Sequence, residues 1–154
     1  MARIVVPAHT DHIFWLANNM SYADRDEVAA ACGMGPYRAL KDSLAKSVAA
    51  WTGLVDDKPV VMWGVTPIDI LAGIGSPWLL GTDTIRECPI TFLRFNRKYV
   101  PQMLGMFPVL VNYVDARHER AIRWLKWLGF RIEDNPVPYG MWGMDFFRFE
   151  MRKQ

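Results

Sequence analysis

The sequence predicts a mixed α/β domain of the α+β class, one sheet covered by helices, in the order β-α-α-β-β-β-α-β-α-β-β. Two observations carry this reading. Apolar residues follow a helical period in 13–20, 36–46, 91–107 and 118–128, and they alternate or run continuously in 48–65, 77–82, 109–114 and 145–151. The segment 91–107 also lies between two continuously apolar runs, which implies a parallel strand pair joined by a crossover inside a sheet otherwise made of hairpins.

Arg3 to Val6 is a short β-rich run stopped by Pro7. Thr10 or Asp11 can cap a helix whose apolar positions are Ile13, Leu16, Ala17 and Met20. Asp24 followed by Glu27 reads as a second cap that opens Val28 to Cys32, with Gly33 and Gly35 ending it. Pro36 suits the first turn of a third helix running to about Lys46. Val48–Val55 and Pro59–Val65 flank Asp56-Asp57-Lys58 as a hairpin, and Pro77–Thr82 reads as a strand buried on both faces. Thr91 to Phe107 is helical in pattern, with Pro101 expected to kink or restart it. Val109–Val114 is a second buried strand, and His118–Leu128 is the clearest amphipathic helix, closed by Gly129. Phe130–Glu133, a Pro/Gly-rich loop and Asp145–Met151 finish the chain.

No repeat or flexible linker divides the 154 residues, which suit a single domain over 1–154. At 51% hydrophobic and 22% charged, the composition excludes disorder, and a net charge of +2 gives no strong nucleic-acid signal. The longest apolar stretch, Val60–Leu80, contains Pro67, Pro77 and Asp69, so it reads as strand, loop and strand and not as a membrane span. Cys32 and Cys88 are too few for a disulfide framework, and a reduced, cytoplasmic setting is the simplest expectation. The charge is unevenly spread: residues 86–131 hold nine basic side chains against three acidic ones. That leaves room for a local anion site, although solvated helix faces account for it as well. His9 and His12 could present two imidazoles on one helical face, but no third ligand is marked, so no metal is expected there. The aromatic, Gly-rich loop Tyr139–Gly143 could overhang a cleft or form a subunit contact.

The segment Ala121-Ile122-Arg123-Trp124-Leu125-Lys126-Trp127-Leu128-Gly129-Phe130 resembles the Asn-x-x-Ala-x-x-x-Tyr-x-x-x-Gly-Phe helix of the GNAT superfamily of N-acetyltransferases. The hairpin 48–65 and the element order extend that resemblance over nearly the whole chain. Trp78-Leu79-Leu80-Gly81-Thr82-Asp83 and Asn112-Tyr113-Val114-Asp115 also resemble a family of small phage and prophage proteins that includes the internal virion protein A of short-tailed coliphages.

The first resemblance implies an acetyl-CoA-dependent N-acyltransferase acting on an amine. The backbone of Leu80, Gly81 and Thr82 would pair with the pantetheine arm. Arg86-Glu87-Cys88-Pro89-Ile90-Thr91 matches the pyrophosphate loop, with Arg86 at its first position and Thr91 at its small last one. Pro89 stands where the family has a central glycine, and ordinary helix-start chemistry explains the same residues. Leu125 replaces the tyrosine that protonates the leaving thiolate in many of these enzymes. Asp83 is the candidate general base, or a turn-forming aspartate. His118 is a candidate acid or hydrogen-bonding group, or a helix-capping residue. The second resemblance implies a virion or assembly protein, in the bacterial host or in the particle, that binds other virion proteins and keeps the fold without the chemistry.

Overall fold

The computed structural model describes residues 3–87 and 89–154; for Arg86, Glu87, Pro89, Ile90, Phe92, Leu93 and Phe95 it describes the backbone alone. Fourteen elements follow in order: β1 (Arg3–Pro7), α1 (Ile13–Asn18), α2 (Tyr22–Cys32), α3 (Pro36–Lys46), β2 (Ala49–Val55), β3 (Lys58–Asp69), β4 (Ile74–Gly81), α4 (Thr84–Glu87), α5 (Pro89–Met106), β5 (Val109–Asp115), α6 (Glu119–Leu128), β6 (Arg131–Ile132), β7 (Val137–Tyr139) and β8 (Met144–Arg152). The strands form one sheet in the order β1-β2-β3-β4-β5-β8-β6, with β7 paired to β8. Among the described residues only β4 and β5 run parallel, joined by the expected crossover through α5. The fold class is therefore the α+β sheet that the periodicities predict.

Alternation along the strands divides the core. Met62 and Leu80 face Leu16, Ala17, Val28 and Leu40 of α1–α3. Val61, Trp63 and Val65 share the other core with Val100 and Met103 of α5, and Trp124 and Leu125 of α6 pack against it. The β2–β3 hairpin turns at Asp56 (φ 48) and Asp57 (φ 66), the left-handed pair that a two-residue hairpin favours.

Four boundaries differ from the sequence reading. Ser21 is the N-cap of α2, accepting from the Asp24 N–H, so the helix starts well before Val28. β4 begins at Ile74, and α5 continues through Pro101. The Pro/Gly-rich loop contains β7, whose Val137, Pro138 and Tyr139 pair with Phe146, Asp145 and Met144.

The β7–β8 turn is wedged against α2. Gly140 has φ 77, and a Cβ there would meet the Ala30 carbonyl oxygen at 2.4 Å and the Ala31 Cα at 2.8 Å. Gly140→Ala should therefore lower stability by about 2–4 kcal/mol, combining left-handed strain with a clash against unyielding backbone. Urea unfolding checks this; an unchanged midpoint would mean that the turn does not seat on α2.

Candidate active site

β4 and β5 pair only at their starts, Ile74 with Val109 and Gly75 with Leu110, and then separate. The sequence accounts for the split. Thr82 donates its N–H to Val60 of β3, so by strand alternation residues 77, 79 and 81 turn their backbone groups towards β5. Pro77 has no N–H to offer there, and its carbonyl accepts instead from Asn112 Nδ2 at 2.7 Å. Beyond this staple a cleft of about 280 Å³ opens between the strands. α2 lines it on one face of the sheet, and Asn96, Val100, Trp124 and Leu125 of α5 and α6 line it on the other.

At the wide end of the split three ionisable side chains converge. Asp24 accepts from the Gly81 N–H at 2.8 Å through Oδ2, and its Oδ1 lies 2.8 Å from His118 Nε2. Glu27 sits one helical turn further along α2 and accepts from the Asp115 N–H at 3.0 Å. Asp24 and His118 are buried, while Glu27 is partly exposed in the cleft. Burial and the neighbouring Asp24 carboxylate push Glu27 up to about 7, against the opposing effects of His118 and the Asp115 N–H. For His118, burial alone would lower the pKa, but the Asp24 hydrogen bond and the charges of Glu27 and Asp24 raise it. Behind Glu27, Asp115 is itself buried and held by Arg117, whose hydrogen bonds keep the carboxyl below its usual range despite the burial.

Two carboxylates and an imidazole so placed can accept and pass a proton near neutral pH. One ligand atom from each of Asp24, Glu27 and His118 falls within 4.8 Å of the others, which also suits a divalent metal, although Asp24 Oδ1 and His118 Nε2 already share a hydrogen bond.

Of the residues singled out in the sequence, Leu80, Thr82 and His118 line this cleft, and Gly81 adjoins it through its bond to Asp24. His118 is both the N-cap of α6, accepting from the Ala121 N–H, and a member of the cluster. The backbone groups proposed for a pantetheine arm are committed within the chain: the Gly81 carbonyl accepts from the Ser21 N–H at 2.9 Å, its N–H goes to Asp24, and the Thr82 N–H and hydroxyl both go to Val60. Asp83 occupies an exposed turn outside the cleft lining. The Thr91 hydroxyl, in the first turn of α5, accepts from Arg3 at 3.0 Å and is likewise not part of the lining. The Arg86 side chain and Cys88 lie outside the described residues. His9 and His12 are committed elsewhere: each caps backbone in the turn before α1, and His12 Nδ1 lies 2.9 Å from the Thr52 hydroxyl.

The sequence reading missed Asp24 and Glu27 as site residues. Their spacing imitates a capping box, while the true cap is Ser21, three residues before Asp24. That earlier Ser-x-x-Asp was the signal that would have freed both carboxylates to face inward.

No protein-family model matches the chain, and no curated protein matches it. Solved structures do. An N-acetyltransferase from Staphylococcus aureus Mu50 superposes with a TM-score of 0.73 at 11% identity, over 99% of each chain. The ribosomal-protein-S5-alanine acetyltransferase of Vibrio fischeri gives 0.72 at 14% identity, over 99% of this chain and 93% of that one. An acetyltransferase of the GNAT family from Streptococcus pneumoniae gives 0.69 at 11% identity, over 99% of this chain and 100% of that one. The described residues thus have the GNAT fold. Among the described residues no helix is long and apolar enough to cross a membrane.

Proposed function

We propose that the chain is an acyltransferase that moves an acyl group from a CoA thioester to a primary amine, with Glu27 as the base. The observation that carries this is the convergence of Asp24, Glu27 and His118 on the strand split. Burying Asp24 and His118 beside the partly buried Glu27 costs stability, and a cluster kept at that cost on a cleft wall points to chemistry.

The residues present fit the acyl end of such a thioester. The Leu79 backbone groups face the split, and Asn96, Val100, Trp124 and Leu125 line the cleft beside it. Leu79 would hold the thioester and these side chains its arm; bound there, the thioester supplies an activated acyl group. The fit ends at Gly81, whose edge Asp24 and Ser21 already cover.

Glu27 performs the proton work. With a pKa of about 7 it is half ionised at neutrality and can take a proton from an ammonium group, leaving the free amine as nucleophile. Asp24 fixes the His118 ring, and the pair supplies the polar surroundings that keep Glu27 poised. This role goes to Glu27 in place of Asp83 because Glu27 lines the cleft. Isothermal titration with acetyl-CoA tests the reading: saturable one-site heat is expected.

One observation favours a second reading, a non-catalytic protein that keeps the fold. The chain itself covers the Gly81 edge, and Pro89 removes an N–H from the start of α5. On this reading the resemblance to small phage proteins makes the chain a virion or assembly component in a bacterial host. A pull-down from infected cells that recovers virion proteins supports it, and recovery of none counts against it.

A further inference from the structure

The cleft also carries information about the acceptor, an inference that rests on the acyltransferase reading above. Among the described lining residues the only carboxylates are Asp24 and Glu27, both at the wide end of the split. Away from them, on the α2 face, the walls are Val28, Ala31, Cys32, Trp78, Tyr113 and Tyr139. These walls are neutral. Burial raises the Tyr139 hydroxyl above its ordinary pKa, so it carries no charge at physiological pH.

The walls are also flat and held in place. Tyr113 and Tyr139 stack with ring centres 4.1 Å apart and planes 16° from parallel, and Tyr139 leans on Phe146 at 5.1 Å. Gly140, seated against the α2 backbone, fixes the turn that follows Tyr139. On the other flank the Trp78 indole N–H donates to the Ser47 hydroxyl at 2.8 Å. Trp78 lies three residues before Gly81 on β4, about 10 Å along the strand. Ala31 lies one turn beyond Glu27 on α2, about 6 Å along the helix. The slot therefore offers a flat apolar compartment one short alkyl chain away from the Asp24 and Glu27 carboxylates, where the lining also holds His118 and Arg120.

We infer that the acceptor is a monoamine whose amino group is joined by a short alkyl chain to a flat apolar ring. A polyamine would need further carboxylates along the slot, and the described lining supplies none. A charged peptide would strand its side chains against Val28, Trp78 and Tyr139.

Isothermal titration of the full chain with 2-phenylethylamine, spermidine and 3-phenylpropionate, without acetyl-CoA, tests this. Saturable heat is expected for 2-phenylethylamine, with the other two weaker by about tenfold or more, since each lacks either the ring or the cation. Trp78→Leu and Tyr139→Leu keep apolar bulk but lose the flat face, and each should weaken 2-phenylethylamine by about tenfold. Tighter binding of spermidine, no heat with 2-phenylethylamine, or unchanged affinity in folded forms of both variants would overturn the inference. Adding acetyl-CoA then separates the two proposals: an amine that binds in the slot but is never acylated defeats the acyltransferase reading and leaves the acceptor slot standing.

Discussion

Replacing Glu27 by glutamine should lower turnover of an amine acceptor by about 10²–10⁴-fold, the range for loss of a positioned base, and at the same time make the protein more stable. The two effects share one cause. In the folded chain Glu27 titrates at about 7, against 4.5 as its ordinary value. Between those values the native state holds a proton that the unfolded chain has released. The carboxyl therefore contributes nothing below about pH 4.5 and an increasing penalty up to about pH 7, reaching roughly 3 kcal/mol. His118 acts in the same direction: its folded pKa is raised, so its contribution is present below 6.5 and is lost as pH climbs through the folded value. Wild-type protein should lose melting temperature as pH rises from 5 to 8, and Glu27→Gln should flatten much of that slope. Activity should follow the opposite course, with kcat/KM in the wild type showing an inflection near pH 7 that the variant lacks. Thermal melts and rate profiles over the same buffers check both; a variant that is equally active, or less stable at pH 8, contradicts the role given to Glu27.

Removing Asp24 has the second large effect. Its carboxylate joins three elements, taking the Gly81 N–H at the end of β4 and His118 Nε2 at the cap of α6 from its own place on α2. Asp24→Ala leaves two buried polar groups without their partner and should cost about 3–5 kcal/mol, as breaking a buried charged pair does. Asp24→Asn keeps an acceptor and costs less, about 1–3 kcal/mol. The asparagine variant also carries a readout that packing alone does not move. Asp24 is one of the charges holding Glu27 high, so its neutralisation should shift the midpoint of the kcat/KM profile below 7. Chemical denaturation and the pH profile test the two halves; an unmoved profile in a folded Asp24→Asn protein would separate Asp24 from the base.

Much of the architecture was legible because it is local. Alternation in 48–65, the Asp56-Asp57 turn and the Gly129 cap each encode their element within a few residues, and the structure has all three. The parallel pair followed from element order, but Pro77, read as the start of its strand, lies inside β4 where it leaves β5. The β7 strand was hidden by Pro138, which an edge strand paired on one side tolerates. The site was the least legible part. Asp24 meets Gly81 and His118 across 57 and 94 residues of sequence, and its spacing to Glu27 satisfied a local capping pattern that the chain does not use. Asp83 drew attention by lying just after a buried strand, yet the chain turns outward there and the inward carboxylates come from the other side of the sheet.

Titration of the folded wild-type protein with acetyl-CoA bears most directly on the claim that the strand split is a thioester site. One-site saturable heat is the predicted result, with the thioester held at Leu79 and the Gly81 edge still covered by Asp24 and Ser21. Absence of heat at millimolar acetyl-CoA would contradict the claim and leave a GNAT fold whose own α2 has taken the cofactor's place on β4.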